Sequence, residues 1–97
     1  MAKAYAKEQC RSYGWSEDDY NSLVQLWEKE SGWNVAPGDP NKAYGIPQAC
    51  PGNKMASCGA DWKTNYETQI NWGLSYIKGR YGNPSNAWNH FLKKNWY

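Results

Sequence analysis

Tyr20, Leu23, Val24 and Trp27 recur at spacings of three and four in a stretch otherwise rich in polar and charged residues. Such spacing marks one buried face of a helix. Ser16 precedes the stretch as a cap, and Glu17, Asp18 and Asp19 fill the first turn, where negative charge complements the helix dipole. Gly32 supplies a left-handed stop, so a helix is expected from about Glu17 to Ser31. Upstream, Ala2, Tyr5, Ala6, Cys10 and Tyr13 form another stripe that ends at Gly14. Downstream, Ile70, Gly73, Leu74, Ile77 and Tyr81 predict a helix from about Tyr66 to Tyr81, stopped by Gly82 and Pro84. Ala87, Trp88, Phe91 and Leu92 predict a last helix capped by Ser85.

The periodicity disappears between Trp33 and Thr64, where Pro37, Gly38, Pro40, Gly45, Pro47, Pro51, Gly52 and Gly59 punctuate the chain. A long loop is expected there, with a short helical turn near Lys54 to Ser57. Loops of this length in a small protein are usually functional or disordered, and Trp33, Tyr44 and Trp62 argue against disorder. No repeat, low-complexity tract or alternating strand is visible. The expected class is mainly α, with a loop-rich face that admits at most a short β element.

The length of 97 residues, 40% of them hydrophobic, suits one domain spanning residues 1–97. Seven Trp and eight Tyr supply large apolar surfaces that tolerate a wet edge. The net charge of +2 comes from scattered basic residues, which excludes the dense basic stripe of a nucleic-acid binder. A mild positive balance favours an anionic polymer such as bacterial cell wall. No membrane-spanning run is present, and MAKAYAKEQC lacks the apolar core of a signal peptide. The chain is therefore expected to be a soluble monomer. Work outside the cell would require a removed export signal, or delivery by phage assembly or host lysis.

Three cysteines rule out a complete internal disulfide framework. Cys50 and Cys58 could close a short loop and leave Cys10 free, or all three could be reduced. With His90 they show no paired-ligand spacing, so no metal is expected. No Gly-rich phosphate loop opens a helix, so no cofactor is expected. A Cys-His peptidase would have only His90 to use, and no cysteine has an activating sequence environment.

One residue breaks the apolar pattern. The next position on the Tyr20–Trp27 stripe is Glu30, in the last helical turn, where the dipole disfavours negative charge, and an aromatic loop follows. Each feature raises the proton affinity of its carboxyl, as a general acid working near neutral pH requires. Glu28 lies about 200° away around the helix and reads as a solvated surface residue.

Glu30-Ser31-Gly32 resembles the Glu-Ser signature of lytic transglycosylases with the goose-type lysozyme-like fold. Ala43-Tyr44-Gly45-Ile46-Pro47-Gln48 resembles the family's second motif, a Gly-x-x-Gln strand or turn. The segment NYETQINWGLSYI, from Asn65 to Ile77, is similar to the third, and Ala87-Trp88-Asn89 to the fourth, usually Ala-Tyr-Asn. The four occur in the family's order from about Leu23 to Asn89. AYGIPQA, GNKMAS and GADW together look like a short variant of the domain found in secreted bacterial wall enzymes and phage proteins.

The resemblance implies a small lysozyme-like domain acting on peptidoglycan glycan strands, without nucleic acid, membrane span or cofactor. Its activity would be cleavage of the β-1,4 bond between N-acetylmuramic acid and N-acetylglucosamine with a 1,6-anhydro product. Glu30 would be the acid and then the base. Gln48, Tyr76, Asn89 and Ser31 would bind or position substrate, and Trp33, Tyr44 and Trp62 are candidates for stacking on sugar faces. Departures from the family are Trp88 in place of Tyr, Pro47 before the motif's Gln, and a DPNKAYG loop about one residue short. Some close members of the resembled family carry cysteines where this chain has Ser22 and Ser85, so a helix-linking disulfide would be absent here.

Two alternatives stay open. A hydrolytic lysozyme would use a carboxylate such as Asp39 or Asp61 to activate water on the same bond. A noncatalytic wall-binding module would grip glycan through aromatic residues, but would have no use for a half-buried acid.

Overall fold

Ser16 begins the second helix as its sequence predicts. Its hydroxyl accepts a hydrogen bond from the Asp19 amide at 3.1 Å, and the Asp19 carboxylate accepts from the Ser16 amide at 3.1 Å. This reciprocal capping box satisfies two amides that the helix itself leaves unpaired. The computed structural model describes residues 1–36 and 38–97. Pro37, one of the loop's expected chain breakers, lies outside the described residues.

Four α-helices follow in order: α1 (Ala2–Ser12), α2 (Glu17–Ser31), α3 (Tyr66–Tyr81) and α4 (Pro84–Lys94). A short 3-10 helix, Gly52–Cys58, covers the turn expected near Lys54 to Ser57. The protein is mainly α. Among the described residues there is no strand, only isolated antiparallel bridges pairing Tyr44 with Gly38 and with Ala49. None of the helices is long and apolar enough to cross a membrane.

The start of α4 departs from expectation. Asn83 caps it, accepting from the Asn86 amide at 2.8 Å, and Ser85 lies inside the first turn. The Ser85 hydroxyl instead donates to the Asp19 carboxylate at 2.7 Å, joining the starts of α4 and α2. Burial pushes the Asp19 carboxyl up, but the hydrogen bonds from Ser85 and Ser16 outweigh it and hold it below its ordinary value. Ser22 and Ser85 also face each other across these helices, with their hydroxyl oxygens 3.4 Å apart.

The core forms where the stripes meet. Ala6 and Cys10 of α1, Leu23, Leu26 and Trp27 of α2, Ile70, Leu74 and Ile77 of α3, and Ala87 of α4 enclose Ile46 from the loop. Trp27 is wholly buried, which is worth on the order of 5 kcal/mol by area. Its ring lies so close to α3 that only glycine fits opposite: a Cβ at Gly73 would sit 2.5 Å from Trp27 Cζ2 and 3.0 Å from Pro47 Cβ. The radius of gyration, 12.0 Å, is close to the roughly 12.5 Å of a compact chain this long.

A smaller cluster, Tyr44, Ala49, Met55 and Trp62, gives the loop face its own interior. Gln69 joins it to the main core. This fully buried side chain accepts from the Ile46 amide at 2.9 Å and donates to the Val35 and Trp62 carbonyls, both at 2.8 Å. Three loop segments distant in sequence are thus tied to one helix. All three cysteines are free, Cys10 buried and Cys50 and Cys58 exposed. Burial, with the nearby Asp19 charge, raises the Cys10 thiol to about 11, which makes it a packing residue and not a nucleophile.

Gln69→Leu keeps the volume of the side chain but strips three backbone groups of their partner, two in buried bonds and one in a part-buried bond. Urea denaturation should show a loss of roughly 3–5 kcal/mol, and a loss below about 1 kcal/mol would contradict the assigned role. Joining α2 to α4 through paired Ser22→Cys and Ser85→Cys substitutions should raise stability by roughly 2–4 kcal/mol in the oxidised over the reduced protein. Equal melting temperatures for the two forms would show that the serines do not face each other.

Candidate active site

Glu30 occupies the penultimate position of α2, where the stripe of Leu23 and Trp27 carries it toward the interior. It is half-buried, whereas Glu28 is exposed and lies 3.9 Å from Lys3 Nζ. No ion pair involves Glu30 among the described residues, whose two salt bridges are Lys3–Glu28 and Lys7–Glu17. Burial alone raises its carboxyl from an ordinary value of 4.5 to about 7. A desolvated acid with no compensating cation holds its proton near neutral pH.

The loop beyond α2 is bent sharply back. Gly32 and Trp33 are both left-handed, with φ of 63° and 61°. Ser31 then fixes the helix end to the loop, its hydroxyl donating to the Ile46 carbonyl at 2.7 Å. Ile46 belongs to a tight turn in which the Gln48 amide and side-chain Nε2 both donate to the Gly45 carbonyl at 3.0 Å. Gln48 itself has φ of 54°, a strained conformation for a residue with a side chain and one that clusters at functional positions.

Gln48 lines a cleft of about 200 Å³ with Pro47, Ala49, Cys50 and Lys54 on the loop side, and Trp72, Tyr76 and Tyr97 opposite. Trp72 and Tyr76 are one helical turn apart on α3, and their rings stack at 5.1 Å between centroids and 16° between planes. Tyr97 packs edge-on against Tyr76 at 5.7 Å. Pockets that enclose a whole small ligand usually measure roughly 300–1,000 Å³, so this cleft suits one unit of an extended chain lying across it.

Tyr97 connects the cleft to Glu30. Its hydroxyl accepts from Trp27 Nε1 at 2.9 Å and donates to the Pro47 carbonyl at 2.7 Å. Burial first, then the neighbouring Glu30 charge, pushes this phenol well above its ordinary value, so the hydroxyl keeps its proton as a donor. Glu30 is not among the cleft-lining residues; its charge is felt at the cleft wall through Tyr97.

Of the residues singled out in the sequence, Gln48 and Tyr76 line this cleft, and Glu30 does not line it but acts by its charge on Tyr97, which does. The others are placed elsewhere. Ser31 is occupied in holding Ile46, and the Trp33 indole N–H donates to the Val24 carbonyl at 3.1 Å while its ring packs edge-on against Trp27. Tyr44 and Trp62 are each only 7% exposed and pack edge-on against one another inside the loop cluster, which leaves no free ring face for a sugar. Asn89 is exposed on α4 and does not reach the cleft. Trp88 stacks on Phe91. The aromatic rings that line the cleft beside Tyr76 are instead Trp72, one turn before it, and Tyr97, which no local pattern marks.

The carboxylates weighed for water activation are also engaged. Asp61 accepts from Thr68 Oγ1 at 2.6 Å and Asn65 Nδ2 at 2.8 Å, and these bonds lower its carboxyl below the ordinary value. Asp39 accepts from the Asn41 amide at 2.9 Å within the loop. Neither lines the cleft. The described residues hold no cluster of three or more His, Cys, Asp or Glu suited to a metal ion. No family model, curated protein or solved structure matches this chain.

Tyr97→Phe deletes the hydroxyl and leaves the buried Trp27 indole N–H without its acceptor. Chemical denaturation should register a loss of roughly 1–3 kcal/mol, whereas an unchanged midpoint would mean that the Trp27–Tyr97–Pro47 connection is not formed in solution.

Proposed function

We propose that this chain is a lysozyme-like domain acting as a peptidoglycan lytic transglycosylase, with Glu30 as its acid/base. The observation that carries the reading is the half-buried Glu30 on the buried stripe of α2, its carboxyl raised to about 7 by desolvation and its charge acting on Tyr97, which lines a cleft with the stacked rings of Trp72 and Tyr76. The motif resemblance agrees with it at two further points. The Gly-x-x-Gln segment forms a cleft-lining turn, and Ser22 and Ser85 stand opposite each other where the resemblance implies a linking disulfide in some members of that family.

The chemistry follows from one carboxyl group. Protonated Glu30 gives its proton to the glycosidic oxygen between N-acetylmuramic acid and N-acetylglucosamine as the bond from that oxygen to the muramic anomeric carbon breaks. The substrate's own 2-acetamido oxygen bonds to the electron-deficient carbon, which makes a second protein carboxylate unnecessary. Ionised Glu30 then takes the proton of the muramic 6-hydroxyl as its oxygen displaces the acetamido oxygen. A 1,6-anhydro ring closes and the acid is restored. The flat faces of Trp72 and Tyr76 suit the apolar side of a pyranose, and Gln48 offers an amide beside it. On this reading the protein works at the bacterial wall, reached by export or carried by a phage.

Mass spectrometry of muropeptides released from purified peptidoglycan tests the assignment. The protein should release 1,6-anhydro ends, and a folded Glu30→Gln variant should be slower by about 10²- to 10⁴-fold. Water-terminated reducing ends would move the chemistry to hydrolysis, and undiminished turnover by Glu30→Gln would remove Glu30 from the mechanism.

Stability gives a second test with a fixed sign. Glu30 binds its proton more tightly folded than unfolded, so stability should fall as pH rises from about 4.5 to about 7 and then level off. Glu30→Gln lacks that contribution and should equal or exceed the parent protein in melting temperature above pH 7. A Gln variant that melts lower there would mean that the charged carboxylate is stabilised by contacts absent from this structure.

A further inference from the structure

The cleft carries a charge that the proposed reaction does not use. The side chains of Pro47, Gln48, Ala49, Cys50, Trp72, Tyr76 and Tyr97 have no formal charge at neutral pH, so Lys54 has the one charged side chain among the described residues of the lining. Its backbone is held by the 3-10 helix: the Lys54 amide donates to the Pro51 carbonyl at 3.1 Å, and the Lys54 carbonyl accepts from Ser57 Oγ at 3.1 Å. Gly52, two residues before it, is fixed to the Pro40 and Lys42 carbonyls at 3.1 and 2.9 Å, and Met55, just after it, is wholly buried. The ammonium group therefore extends from an anchored base, and no ion pair involves it among the described residues.

A cation without an ion-pair partner in a cleft that also holds stacked aromatic rings discriminates between glycans. A neutral sugar polymer satisfies the rings of Trp72 and Tyr76 but offers nothing to Lys54. A muramic residue differs by its lactyl substituent, which ends in a carboxylate when bare and carries the carboxylates of a peptide when substituted. We infer that Lys54 is a specificity residue that pairs with a carboxylate borne on the muramic lactyl arm, directly or through its peptide. The inference rests on the glycan-cleaving assignment and adds to it which glycan the cleft prefers. Long-range attraction is screened by salt, and a contact ion pair at a cleft wall is screened less than one on an open surface.

Three polymers separate the sources of the carboxylate: strands with intact peptide stems, strands with the stems removed to bare lactyl groups, and intact strands whose carboxylates are converted to neutral amides. The protein should cleave at least one of the acidic polymers with kcat/KM roughly fivefold to tenfold above the amidated one, as one charge-assisted contact would give. Lys54→Gln should abolish that preference, bringing the rates on the acidic and amidated polymers to within about twofold of each other. Lys93→Gln, which removes the same charge from the exposed surface of α4, should keep the preference. The relative rates on intact and stripped strands identify whether peptide or lactyl carboxylate is read.

Binding of the same polymers to Glu30→Gln, followed by tryptophan fluorescence, separates this inference from the reaction it rests on. Loss of the acidic preference in the Glu30→Gln, Lys54→Gln double variant supports the role of Lys54 even where no cleavage is seen. A preference that survives Lys54→Gln in both assays, or a parent protein indifferent to amidation, overturns it.

Discussion

Among the described residues from 33 to 64 there is no sheet: one short 3-10 helix, isolated bridges and turn bonds pair part of the backbone, and side chains that reach in from elsewhere tie its segments together. Gln69 reaches furthest. From a buried position on α3 it bonds the backbone at Val35, Ile46 and Trp62, and so brings the start, middle and end of the loop to one point. Buried amides and carbonyls left unpaired would each cost about 1–3 kcal/mol, a large share of the margin by which a small protein stays folded. The cleft-lining turn at Pro47 and Gln48 begins directly after the amide that Gln69 holds.

Structure and proposed chemistry share the same parts. Trp27 fills the core, admits α3 only where Gly73 has no side chain, and donates to Tyr97. Tyr97 donates in turn to Pro47 and feels the charge of Glu30. The helix that buries Trp27 also carries the acid, and burial raises the proton affinity of its carboxyl. Stability is lowered by the same burial when the carboxyl ionises, a cost that a structural residue at this position would not carry.

Two helices were legible to their ends because each has a stripe, a cap and a stop: α2 and α3 begin and end as their sequences predict. Glu30 was legible for the same reason, as a carboxylate at a position the stripe reserves for the core. The loop residues were not. Tyr44 and Trp62 carry the flat rings expected of sugar-binding residues, yet bury them against one another, because a loop without a sheet needs an interior of its own. Asn89 satisfies a three-residue motif but faces outward on α4, since the helical period fixes its direction whatever its neighbours are. Tyr97 lies 70 residues from the Trp27 with which it bonds, a separation no local pattern reveals. Trp72 carried a usable signal: it lies one turn before Tyr76, and the two side chains share a helix face.

The account turns on whether Glu30 keeps its proton at neutral pH, and that is measured directly by following its side-chain carboxyl carbon through a pH titration by NMR, with Glu30→Gln to assign the signal. The structure predicts a midpoint at about 7 for Glu30. A midpoint at the ordinary value of about 4.5 would place the carboxylate in water, and the proposed acid would then be ionised before it met its substrate.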